Sequence, residues 1–302
     1  MKNPKISNLR QLASITRYTL SEGRSKGLEV IDCDNGKLRF MLCVSRALDV
    51  MQLWHKGENV SFISKNGFIS EKTPFLERFE GGMLYTCGLE NAGMREGFEQ
   101  HGTHHLCGAT VTRAECTEDG IVIEAYVRES ALFGRNLLFK RRIFSALGSE
   151  VLSINDTIVN EGYKDGEYCI LYHVNVGYPM LDAGALVEGK VSERVPCGDF
   201  AAKYIDKALV MEEAEYPDET CYYLTLVEPR ISLVNKEKGK SFTVSYSKET
   251  LPEFLMWKSM VPGDYALGLE PLTTRLGESF KYKHIGAGES VNFTLELSVN
   301  EI

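Results

Sequence analysis

NLLFKRRIFSALGSEVLSINDTIVNEG, residues 136–162, contains two runs, NLLFKRRIFSA at 136–146 and EVLSINDTIVNEG at 150–162, in which apolar and polar residues largely alternate. A period of two sends successive side chains to opposite faces of an extended chain, so each run reads as a β-strand with one buried face. The pattern recurs on both sides: LEVIDCDNGKLRFMLCV from Leu28, GIVIEAYVRE from Gly120, ISLVNKEKGKSFTVSYS from Ile231 and SVNFTLELSVN from Ser290. Asp34-Asn35-Gly36, Glu118-Asp119-Gly120 and Glu237-Lys238-Gly239 stand where hairpin turns belong, with glycine available for positive φ. Helical spacing is scarce. Pro4 to Leu20 is one candidate, with Ile6, Leu9, Leu12 and Ile15 near a helical period, and Lys248 to Leu255 is a weaker one. No Pro/Ser/Gly-rich linker, low-complexity tract or repeat divides the chain. The expectation is an all-β protein of large antiparallel sheets packed face to face, with few short helices. Residues 1–302 form one domain in this reading, and residues 1–27 are an N-terminal capping segment.

Composition narrows the function. The 302 residues are 43% hydrophobic and 25% charged, the balance of a soluble globular protein. A net charge of -8, from 34 Lys+Arg against 42 Asp+Glu, argues against nucleic-acid and anionic-membrane partners, both of which need a basic footprint. No run approaches 18 apolar residues and the N-terminus carries no signal-peptide pattern, so a cytoplasmic location is expected. The eight cysteines include no C-x-x-C pair, so reduced, mostly buried thiols are expected rather than a zinc ribbon or a redox motif.

Some polar residues interrupt the apolar runs. ILYHVNVGYPML, residues 170–181, places His173 and Asn175 in a strand of Ile170, Leu171, Val174 and Val176. Both point the same way along it, with Leu171 and Gly177 on that face leaving room beside the imidazole. A buried polar group is costly without a partner, so the partner is either a backbone carbonyl or a substrate. Glu270, in ALGLEPL, is a carboxyl surrounded by apolar residues, which raises its pKa toward the range of a general base; a strand-end Glu facing water is the plainer alternative. Arg46, in VSRALDV, either pairs with Asp49 at the surface or serves a site. EQHGTHHLCG holds His101, His104 and His105, which suit a solvated loop, a sugar-contacting loop or a metal site, although the spacing lacks helical i, i+4 ligand geometry. Trp257 offers a flat face to sugar C–H groups or simply packs in the core, and Lys258 offers a donor for hydroxyls.

HVNVGYPML, GLEP and HIGAGESVNFTLELSV resemble the aldose 1-epimerase (galactose mutarotase) superfamily. SRALDV, FEGGMLYTCGLENAG, the His101-Gly102 pair, YHVNVGYP and YALGLEP resemble its DUF4432-type branch, a family of unknown function. The likeness spans roughly residues 40–300. It implies a galactose-mutarotase-like β-supersandwich with a carbohydrate in the cleft of a concave sheet. It also implies that His173 is the general acid, Glu270 the general base, and Arg46 and His101 the residues that orient substrate. Thr273 and Thr274 stand where the branch often has Asn, and no counterpart is evident for the Asp that contacts sugar hydroxyls in better-known members.

Interconverting sugar anomers by ring opening and closure needs one group to take the C1 hydroxyl proton and another to protonate the ring oxygen. An imidazole and a partly desolvated carboxyl can do both without a metal or organic cofactor. The expected activity is that of a mutarotase-like isomerase acting on a small-molecule carbohydrate, with Asn175, Trp257 and Lys258 also at the substrate and a homodimer left open. The alternatives are a sugar-binding or regulatory protein without turnover, an epimerase or isomerase working at another carbon or on a phosphorylated sugar held by Arg46 and Lys258, and a metal enzyme built on His101, His104 and His105.

Overall fold

The computed structural model describes residues 4–214 and 219–302. Antiparallel strands dominate it, gathered into sheets of five, eight and seven strands. The two opening runs are neighbours in the eight-stranded sheet, paired from Ser153 opposite Phe144 to Asn160 opposite Leu137. All three turn triplets lie between hairpin partners, with Gly36 at φ 93° and Gly239 at φ 63° in the left-handed region. The architecture is the expected all-β supersandwich.

The seven-stranded sheet matters most for function. Val191–Pro196, Thr220–Leu226, Glu253–Ser259, Ala266–Leu272, Gly166–Val176 and Lys283–Ile285 follow one another, and Leu84–Leu89 pairs with Gly166–Val176 as well. Alternation assigns each side chain a layer. Ile170, Tyr172, Val174 and Val176 join the main core with Ile154, Ile158, Phe293 and Leu295 of the eight-stranded sheet. Each such side chain fully buried stabilises the fold by about 1.5–3 kcal/mol. The Tyr172 ring lies 6.3 Å from that of Phe293, and its hydroxyl donates to Asp156 at 2.8 Å, so polar as well as apolar contacts join the sheets.

Behind that strand runs a buried ionic cluster. Arg141 donates to both oxygens of Asp156, at 2.9 and 2.7 Å, to Asp49 at 2.5 Å and to Thr86 at 2.9 Å. Asp49 also contacts His105 at 2.6 Å and accepts from the Thr86 amide at 2.7 Å. Burial pushes the Asp49 carboxyl up, but the His105 hydrogen bond and the Arg141 charge outweigh it and hold the group at about 2.

Two expected helices are absent. Between Pro4 and Leu20 the chain makes only a 3-10 turn, Leu9–Gln11, and then a strand, Ser14–Thr19, paired with Glu29–Asp34. The β-branched run in SITRYT and a free sheet edge to pair with outweigh a weak helical period in which Leu12 is exposed. Residues 1–3 of the expected capping segment lie outside the described residues. Lys248–Leu255 is a turn leading into the strand Glu253–Ser259. Among the described residues no helix is long and apolar enough to cross a membrane.

Candidate functional site

The face of Gly166–Val176 that turns away from the main core carries Cys169, Leu171, His173 and Asn175. Neighbouring strands supply alternate residues to the same face: Tyr85 and Cys87 from Leu84–Leu89, Gly268, Glu270 and Leu272 from Ala266–Leu272, and Leu255 and Trp257 from Glu253–Ser259. Tyr85 pairs directly with His173 on one side. On the other, the register that sets Leu171 beside Leu272 and Val174 beside Leu269 brings Glu270 beside His173. Nε2 of His173 and Oε1 of Glu270 are 3.3 Å apart. Gly268 makes the arrangement possible, because a Cβ there would lie 2.3 Å from that same Oε1.

Aromatic rings roof the pair. Those of Phe79, Trp257 and His101 stand 5.4, 5.4 and 5.5 Å from His173. Phe75 packs against His101 at 4.8 Å, with the rings tilted by 50°, and meets the edge of Tyr85 at 6.3 Å. Phe75 opens a one-turn helix, Phe75–Arg78, that Phe79 caps, and Arg78 ties it down by donating to Glu99 at 2.6 Å. His101 sits on a loop in the left-handed region, φ 64°, with its carbonyl accepting from the Gly88 amide at 3.1 Å. The room expected beside the histidine at Gly177 is occupied by backbone: a Cβ there would meet the Phe62 Cα at 2.5 Å.

His173 is 5% exposed and Glu270 1% exposed. Desolvation, with the neighbouring His101 charge, pushes the His173 imidazole down to about 3, and desolvation pushes His101 down to about 4. Desolvation, reinforced by Glu219, holds the Glu270 carboxyl well above the usual carboxylate range. Burial thus disfavours the charged form of both groups, carboxylate and imidazolium alike. Several polar atoms around the pair have no hydrogen-bond partner: Tyr85 OH, His101 Nδ1, His173 Nδ1, Asn175 Oδ1 and Glu270 Oε1. Buried polar atoms are nearly always satisfied, so five orphans on this face and the loop above it form a set of donors and acceptors suited to a polyhydroxylated ligand.

The remaining sequence candidates divide. His101, Asn175 and Trp257 lie at the pair; the Trp257 indole donates to Glu219 at 2.7 Å and lines a neighbouring cavity of about 440 Å³ with Phe62 and Phe79. Lys258 faces the opposite way, as adjacent strand residues must, and donates to the carbonyls of Lys207 at 3.0 Å and Val210 at 3.2 Å. It lies outside the pocket, and burial lowers its ammonium to about 8. Arg46 donates to the Ile69 carbonyl at 2.5 Å, and Asp49, its expected surface partner, is buried and engaged by Arg141, Thr86 and His105. Arg46 and Lys258 therefore do not converge as a phosphate clamp. His104 pairs with Glu129 and His105 bridges Asp49 and Glu80, so the three histidines point to three different places. Among the described residues no three His, Cys, Asp or Glu side chains gather as a metal site. The sequence reading missed Tyr85, Phe75, Phe79 and Glu219. Tyr85 was detectable only through its register with His173, which depends on strand pairing across the fold.

A family model described as Domain of unknown function (DUF4432) matches residues 25–299. No curated protein sequence matches the chain. Among solved structures, a candidate aldose 1-epimerase from Klebsiella pneumoniae superposes with a TM-score of 0.86 at 22% identity, over 97% of this chain and 86% of that one. A galactose mutarotase-like protein from Clostridium acetobutylicum gives 0.73 at 15% identity, over 97% and 100%. A candidate mutarotase from Salmonella typhimurium gives 0.69 at 12%, over 99% and 97%. At these identities the likeness is one of fold.

Proposed function

The chain belongs to the family described as Domain of unknown function (DUF4432), and on that premise we propose that it binds a sugar between His173 and Glu270 and interconverts its anomers. The observation that carries this reading is the juxtaposition of the two groups at 3.3 Å on one face, with orphaned polar atoms around them. One group takes the C1 hydroxyl proton while the other delivers a proton to the ring oxygen, and the C1–ring-oxygen bond breaks. The aldehyde turns about C1–C2, and the reverse steps close the ring on its other face.

The proton inventory suits this chemistry. A protonated Glu270 beside neutral His173 contains the same protons as ionised Glu270 beside imidazolium, so either form offers one donor and one acceptor. Burial favours the first in the free site. Sugar hydroxyls that replace lost hydration favour the second, in which His173 is the acid and Glu270 the base, as the family resemblance implies. At 3.3 Å the pair leaves no space for a ring between them, so a sugar must part the aromatic roof. The cavity of about 440 Å³ shares Phe79 and Trp257 with that roof and is the approach.

Polarimetry or saturation-transfer NMR on freshly dissolved α-anomers of a panel of aldoses tests the proposal. Accelerated equilibration is expected. Line broadening without acceleration identifies a sugar-binding protein instead, and neither effect with any aldose refutes the reading.

A further inference from the structure

We infer that Tyr85 adds a hydroxyl-binding contact beside the acid–base pair, next to His101, with its phenol holding one hydroxyl of the sugar next to the reacting carbon. This rests on the sugar reading above and extends it to a specificity residue. Tyr85 is 1% exposed, yet its hydroxyl has no partner, and its register places it directly across from His173. The Nδ1 of His101 is likewise unpaired, and the two rings are 6.5 Å apart. A sugar hydroxyl both donates and accepts, so one hydroxyl placed between the two rings can satisfy both orphans with two hydrogen bonds.

The ring is held for this role. Tyr85 stacks on His105 at 3.7 Å with 17° between the planes. His105 in turn is clamped by Asp49 at 2.6 Å and Glu80 at 3.2 Å, which fixes its ring from both nitrogens. Phe75 and Phe79 close on Tyr85 from above, at 6.3 and 5.5 Å. A side chain so fixed loses little freedom on binding, which favours specificity for a hydroxyl at one position. An apolar packing role needs only the ring; the hydroxyl buried without a partner is what points to a ligand.

Tyr85→Phe deletes that oxygen and nothing else. Thermal melts of the free protein and binding titrations with D-galactose, D-glucose and their 2-, 3-, 4- and 6-deoxy analogues decide the matter. An unchanged or higher melting temperature is expected, because the deleted atom is unsatisfied in the free protein. Sugar binding should weaken by about tenfold or more. One deoxy analogue should bind wild type as weakly as the parent sugar binds the variant, and should lose nothing further in the variant. Equal sugar affinity in both proteins, or a lower melting temperature with unchanged affinity, overturns this contact while leaving the proposed function standing. If wild type binds neither these sugars nor any other aldose of the panel above, both readings fall.

Discussion

Replacing Glu270 by Gln should stabilise the free protein and abolish most turnover, an uncommon combination that follows from the burial of this carboxyl. Glu270 is 1% exposed, its Oε1 has no hydrogen bond, and Gly268 leaves room for a carboxyl or its amide isostere alike. Its folded pKa is raised, so above the usual Glu value the unfolded chain has released a proton that the folded chain keeps. Stability therefore falls as pH rises through that window, by about 1.4 kcal/mol per pH unit. His173 and His101 act in the opposite sense. Their folded values lie below 6.5, so the unfolded chain binds more protons below pH 6.5, and stability is lost as pH falls toward about 3 and 4 respectively. His105, raised by its contacts with Asp49 and Glu80 despite its burial, adds stability that also declines above pH 6.5. Wild type minus variant isolates the carboxyl from these histidines. Urea unfolding of both proteins from pH 4.5 upward should give a stability gap in favour of Glu270→Gln that widens with pH until the carboxyl ionises in the folded protein. Turnover should fall at least about 100-fold, the scale of one lost proton carrier. A variant less stable than wild type at every pH, with parallel profiles, refutes the claim that Glu270 is held protonated.

His173→Asn should lower turnover at least about 100-fold while sugar binding stays measurable by titration; unchanged turnover removes His173 from the mechanism. Gly268→Ala, whose methyl would lie 2.3 Å from Glu270 Oε1 and 3.1 Å from the Trp257 Cβ, should displace the carboxyl. Its turnover should drop more than its melting temperature explains, as judged from activity well below the melt. Arg141→Met leaves Asp49 and Asp156 without their shared cation and should destabilise the fold by about 3–5 kcal/mol in denaturant unfolding.

Most of the architecture is legible in the sequence because period-two alternation is a local signal, and the turn triplets mark where strands reverse. The Ser14–Thr19 strand is not, since its β-branched residues decide its conformation only together with a neighbouring edge to pair with. Of the site, His173 and Glu270 are legible as polar residues inside apolar strand runs, and Asn175 follows from His173 by parity. The same parity separates Trp257 from Lys258, which the sequence reading had placed together at the substrate. Arg46 needs the loop carrying Ile69 for its role to be visible. Tyr85, Phe75 and Phe79 look like ordinary core aromatics until register and chain tracing bring them over one histidine.

The most direct measurement is a crystal structure of the protein with a turned-over aldose bound. A sugar ring is expected between Nε2 of His173 and Oε1 of Glu270, the two parted from 3.3 Å, with the C1 hydroxyl and the ring oxygen each within hydrogen-bonding reach of one of them. A sugar seated only in the outer cavity against Phe62 and Lys65, with the pair still in contact, would contradict it.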